Sequence, residues 1–147
     1  MTSWMSFALA APDLATFGAR LLGSRPAYLA TTDAAGAPRV HPVTPVIGTD
    51  ELFVFMEPTS PKGRDLVERG HYALHNGVPD NAGTGGEFSI RGVAVLVDDP
   101  GVRAAAVAVA AYEPAERYIL FRLTVDEARA GGYGDIELPE PRRWARG

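Results

Sequence analysis

Ser60, Lys62 and Arg64 fall at alternate positions of EPTSPKGRDLVERG, residues 57–70. The segment follows the apolar run ELFVFM and reads as the opening of a helix, with Ser60 as N-cap and Pro61 as first helical residue. Lys62 and Arg64 then carry the wrong charge for their position, each costing about 0.3–1 kcal/mol at an exposed helix N-terminus. A bound anion would remove the conflict. The helix start presents unpaired N–H groups and a partial positive charge. With the hydroxyls of Thr59 and Ser60 beside them, the two cations suit a phosphate: arginine binds it bidentately, lysine as a point charge. The other reading is a solvated helix start whose cations pair with Glu57 and Asp65. Residue chemistry alone leaves both open.

A second candidate is RVHPVTP, residues 39–45. Strand alternation puts Arg39, His41 and Val43 on one face and Val40 and Thr44 on the other. Pro42 and Pro45 cannot donate to a ladder, so the segment is an edge strand, or a bulged wall beside a ligand ring. Other candidates fail on spacing. His71 and His75 would suit a metal on a helix, but on a strand they stand about 13 Å apart at roughly 3.3 Å per residue, too far for one ion. No metal site is predicted. The GTGG of residues 83–86 opens no helix and so fails the context of a dinucleotide fingerprint. Asp98 and Asp99 resemble a carboxylate pair, but helix capping accounts for them. No Ser-His-acid order and no activated nucleophile stand out, so no catalytic side chain is assigned.

These residues need elements to hold them. PDLATFGARLLG reads as a helix with Leu14, Phe17, Leu21 and Leu22 at helical spacing. PAYLATT, PRVHPVTPVI, LFVFM, HYALHN, EFSIRGVAVLV and RYILFRLTV read as six strands. Asp99 and Pro100 start a further helix, on which Val102, Ala106 and Val109 share a face. In the last strand Ile119, Phe121, Leu123 and Val125 alternate onto one side. The arginine-rich tail LPEPRRWARG is expected on a surface. Short turns favour antiparallel pairing, and there is no regular βαβ alternation. A small barrel flanked by helices, mainly β with α+β character, fits best.

The whole chain sets the outer limits. Its 147 residues suit one domain, 1–147. A net charge of −4 argues against general nucleic-acid binding while allowing a local basic pocket. The absence of cysteine removes disulfides, thiol catalysis and thiolate metal sites, and is compatible with the expected cytoplasmic location. The first basic residue is Arg20, so MTSWMSFALAAP is not expected to act as a signal peptide. No apolar run approaches the roughly 20 residues of a membrane span.

Residues 28–75, from YLATT through PRVHPVTPVI and EPTSPKGRDLVERG to HYALH, resemble the FMN-binding split-barrel proteins of pyridoxamine 5'-phosphate oxidase type. RGVAVLVDDP, followed by a helix, is similar to a later family strand with a Gly-x-Ala pattern. The resemblance implies a six-stranded antiparallel split β-barrel, a homodimer, and FMN in the cleft between subunits. It implies that Ser60 and Lys62 grip the flavin phosphate, and that Arg64 replaces a basic residue which relatives carry where Pro61 stands. Arg39, His41, Pro42, Val43 and Thr44 would run along the isoalloxazine ring, with Phe55, Met56 and Glu57 close by. Glu87 aligns near a position from which the partner subunit reaches flavin, and Trp144 either stacks there or anchors the tail. The tail lacks the histidine that accompanies the substrate-binding arginine of the vitamin-pathway oxidases, which argues against that reaction. The implied activity is an FMN-dependent oxidoreductase acting on a small molecule. Deazaflavin use, or a non-catalytic flavin- or haem-binding protein, are the alternatives.

Overall fold

A computed structural model describes residues 1–24 and 26–147. The helices are α1 (Trp4–Ala10), α2 (Pro12–Ser24), α3 (Pro61–Glu68) and α4 (Pro100–Val109). The strands are β1 (Ala27–Thr32), β2 (Pro38–Val43), β3 (Val46–Ile47), β4 (Leu52–Met56), β5 (His71–His75), β6 (Glu87–Val97), β7 (Ile119–Leu123), β8 (Glu127–Gly131) and β9 (Arg143–Ala145). All pairs are antiparallel. The main path runs β2-β1-β5-β6-β7-β4-β3, with β8 on β6 and β9 on β8. The sheet curls on itself because β2 and β3, its two ends, are joined by only Thr44 and Pro45.

The mainly-β split barrel is thus present, with more strands than the six expected. PRVHPVTPVI divides into β2 and β3 because Pro45 cannot join a ladder and the residue before a proline is restricted. Pro42 lies on the edge strand β2, where a missing N–H is tolerated. EARAG forms β8 without β-branched residues, since Ala128 is buried against the core. The tail is tied down as β9, and Trp144 packs against Phe7 of α1 with ring centroids 5.1 Å apart. On α4 Ala106 is buried, but Val109 is 52% exposed, so the expected apolar face is narrower.

Two apolar clusters explain the strand compositions. The barrel interior gathers Leu29, Val54, Leu74, Phe88, Ile90 and Phe121, closed at one end by α1 and α2. A second cluster sets Val46, Phe53, Phe55 and Leu120 against Ala106 of α4. Strand β4 lies between them and is buried on both faces, which is why LFVFM is continuously apolar. Each such side chain contributes about 1.5–3 kcal/mol when fully buried. Strand β6 bends at Gly92, serving β5 and β8 with its first half and β7 with its second. A Cβ at Gly92 would stand 2.2 Å from the Thr124 carbonyl oxygen, so only glycine passes this corner. Among the described residues no helix is long and apolar enough to cross a membrane.

Candidate functional site

Ser60 caps α3 as its sequence context implies. Its hydroxyl accepts from Gly63 N–H at 3.1 Å and donates to the Glu57 carbonyl at 2.7 Å. Pro61 follows at the first helical position. The first turn lies close on the end of β4: a Cβ at Gly63 would meet Glu57 O at 2.9 Å and Ser60 Oγ at 3.0 Å. The neighbouring carboxylates are engaged elsewhere. Glu57 pairs with Arg117, and buried Asp65 pairs with Arg39 and Arg69. Among the described residues neither Lys62 nor Arg64 lies in an ion pair. Arg64 is exposed and donates to the Thr59 carbonyl at 3.0 Å.

Lys62 borders a cavity of about 340 Å³, within the usual size range for small-molecule pockets. One wall is Pro42, Val43 and Thr44, at and just beyond the end of β2. A second part of the lining is Phe55, Met56 and Glu57 at the end of β4. Seven of the eleven sequence-nominated residues therefore meet around one space. The other four do not line it. Ser60 and Arg64 belong to the helix start, Arg39 is held by Asp65, and His41 faces inward from β2. His41 Nε2 is buried with no hydrogen-bond partner. Burial, with Lys62 and Arg39 nearby, pushes the His41 pKa below its ordinary value.

Sequence reasoning missed the third wall. Pro26, Tyr112 and Tyr118 complete the cavity. The tyrosines come from the segment joining α4 to β7. Arg103 of α4 holds that segment by donating to the carbonyls of Tyr118 at 2.7 Å, Ala115 at 3.2 Å and Glu116 at 3.2 Å. Two tyrosines in a short proline-containing connection were the only available signal. Glu87, at the start of β6, lies in a smaller recess with His75 and Arg129. His71 and His75 are both on β5, and no group of three potential metal ligands occurs among the described residues.

A larger cavity, about 730 Å³, lies over β1, β5, β6 and β8. It holds none of the nominated residues. Its border mixes both charges, with Arg91 and Arg146 facing Glu127 and Asp126. The smaller cavity is the candidate site because the free lysine, the capped helix start and the edge strand converge there.

The curled antiparallel sheet, with α3 inserted between β4 and β5 in the chain, has the split-barrel fold. Residues 15–130 match the pyridoxamine 5'-phosphate oxidase family, and the chain belongs to that family. No curated protein shows significant similarity. Solved structures share the fold at low identity. A conserved hypothetical protein, Rv2991, from Mycobacterium tuberculosis is 15% identical over 84% of this chain and 90% of its own, with TM-score 0.65. A heme binding protein from Mycobacterium smegmatis is 17% identical over 91% of this chain and 56% of its own, with TM-score 0.69. PhzG from Burkholderia lata 383, in complex with tetrahydrophenazine-1-carboxylic acid, is 18% identical over 98% of this chain and 83% of its own, with TM-score 0.58.

Proposed function

We propose that this chain is an FMN-dependent oxidoreductase that works as a homodimer on a small-molecule substrate. The observation carrying this reading is the unpaired Lys62 at the border of a cavity that also receives Pro42–Thr44 and Phe55–Glu57. A lysine with no protein counter-ion beside a helix start has chemistry suited to a phosphate monoester. The walls from β2 and β4, completed by Tyr112 and Tyr118, suit a planar ring.

In this reading Lys62 neutralises the phosphate, assisted by Arg64 after it leaves the Thr59 carbonyl. The Ser60 hydroxyl has its proton committed to Glu57 O and its oxygen to Gly63 N–H, so Ser60 serves the site by capping α3. Backbone groups around Pro42–Thr44 orient the ring, since Pro42 lacks an N–H and β2 is an edge. His41 stands behind this wall, and burial holds its pKa below the ordinary value, so it adds little positive charge there. Bound flavin would supply the redox chemistry, passing two electrons as hydride to or from substrate. The homodimer is supported by Tyr28 and Val40, apolar side chains 50% and 64% exposed on one face of paired strands β1 and β2.

The spectrum of the purified protein tests the cofactor, with mass analysis of the released ligand. Two visible flavin bands and a released mass matching FMN support the reading. A deazaflavin mass or a haem Soret band would replace FMN with that group. Bound FMN that no nicotinamide donor can reduce, and that no substrate reoxidises, would point to a carrier. Size-exclusion chromatography with light scattering tests the dimer.

A further inference from the structure

Asp65 is 3% exposed, the one charged side chain buried among the described residues. Three elements converge on its carboxylate. Thr31 Oγ1 donates from β1 at 2.7 Å. Arg39 donates from β2, Nε at 2.9 Å and Nη2 at 3.4 Å. Arg69, the C-cap of α3, donates from Nη2 at 2.9 Å. Arg69 also donates Nε to the Thr32 carbonyl at 2.9 Å, tying the far end of α3 to β1 as well. The carboxylate is thus saturated, and α3 is pinned to both strands by directional bonds.

A buried ionic cluster is a poor way to gain stability, because desolvation offsets most of the attraction and apolar packing often does as well. What it supplies is geometry. Asp65 stands three residues after Lys62 on α3, and Arg39 stands three residues before Pro42 on β2. The Asp65–Arg39 pair therefore sets the offset between the lysine and the proline-bearing wall across the cavity. Asp65 and Glu68 together balance Arg39 and Arg69, which leaves Lys62 as the unpaired cation bordering that space.

We infer that Asp65 is the positioning residue of the anion end of the site. Without touching ligand, it holds the α3 start at the spacing that lets Lys62 meet a terminal phosphate while the ring lies against Pro42–Thr44. The inference rests on the flavin reading above and deepens it: the ligand selected is a ring carrying one phosphate monoester. Ligand-holding groups must keep their geometry to within about 0.5 Å, and removing such support at metal sites lowers affinity about 10–100-fold.

The test titrates apoprotein with FMN and with riboflavin, which has the same ring and no phosphate. Salt at about 0.5 M screens the long-range effect of charge changes. Asp65→Asn is expected to weaken FMN about tenfold and riboflavin less than threefold. Thr31→Val removes one bond to Asp65 without changing charge, and is expected to weaken FMN about threefold with riboflavin unchanged. If Asp65→Asn does not fold, Thr31→Val decides. Equal losses for both ligands would mean a merely structural role and overturn the inference, as would unchanged or tighter FMN binding. Wild-type protein that binds riboflavin as well as FMN would remove the phosphate end, and this inference with it. Wild-type protein that binds neither would remove the flavin reading itself.

Discussion

Arg117 closes on Glu57 across 60 residues of sequence: Nε lies 2.8 Å from Oε1 and 3.1 Å from Oε2, and Nη2 also reaches Oε1. Both nitrogens converge on Oε1, a charge-assisted contact stronger than one between neutral groups. It holds the Glu57 pKa below the ordinary carboxylate value. The same guanidinium lies 5.3 Å from the centroid of the Tyr118 ring. The pair thus fastens the tyrosine-bearing segment to the end of β4. Arg117→Ala is expected to speed amide exchange at residues 112–118 and leave the global unfolding midpoint nearly unchanged, since the pair is exposed. Hydrogen–deuterium exchange by mass spectrometry checks this. Unaltered exchange at those amides would show that Arg103 alone holds the wall.

Lys62 provides the second prediction. Lys62→Ala combined with Arg64→Ala should weaken FMN binding by at most several kcal/mol, each charge-assisted bond being worth about 1.5–3 kcal/mol. Neither side chain is in the core, so thermal stability should hold. Isothermal titration calorimetry reads the affinity directly. The same affinity in the double variant would show that the phosphate sits elsewhere.

Gly92 is the third. Alanine there places a Cβ against backbone, 2.2 Å from Thr124 O, at the corner where β6 changes partners. Backbone cannot rotate away as a side-chain tip can. Gly92→Ala should therefore destabilise by about 3 kcal/mol, at the upper end of overpacking costs. Urea denaturation would show a lower midpoint with an unchanged slope. A neutral result would mean that the 124–126 segment shifts freely.

Asp65 gives the pH dependence. The Arg39 hydrogen bonds, followed by those from Thr31 and Arg69, hold its folded pKa below the ordinary 3.8. A depressed carboxylate pKa contributes stability that is complete above the unfolded value. That contribution is lost as pH falls through the folded one. Wild-type stability should therefore drop between about pH 5 and pH 2. Asp65→Asn should start lower and fall less over that interval. Denaturant midpoints of both proteins across the window make the comparison, and parallel curves would rule out Asp65 as the titrating group.

The features legible in the sequence were those that local chemistry dictates. Ser60 and Asp99 cap helices because their short side chains reach N–H groups within three residues, and Pro61 and Pro100 follow because a first helical residue needs no N–H. Pro42 marked an edge because its missing donor has no partner to disappoint there. The apolar run of β4 announced burial on both faces. The family resemblance then joined these pieces into the right fold.

Other features depended on distant residues meeting, and short-range pattern carried no trace of them. EARAG has no strand signal, and becomes β8 because β6 offers it a free edge and the interior accepts Ala128. Arg39 and Asp65, 26 residues apart, could each have faced solvent or a ligand; the approach of α3 to β2 decided that they face each other. Tyr112 and Tyr118 reach the cavity only because Arg103 and Arg117 draw their segment back over β4. Hydrogen bonds within a turn are decided by neighbours in the chain. Pairings across the barrel are decided by which surfaces its curvature brings within about 3 Å of one another.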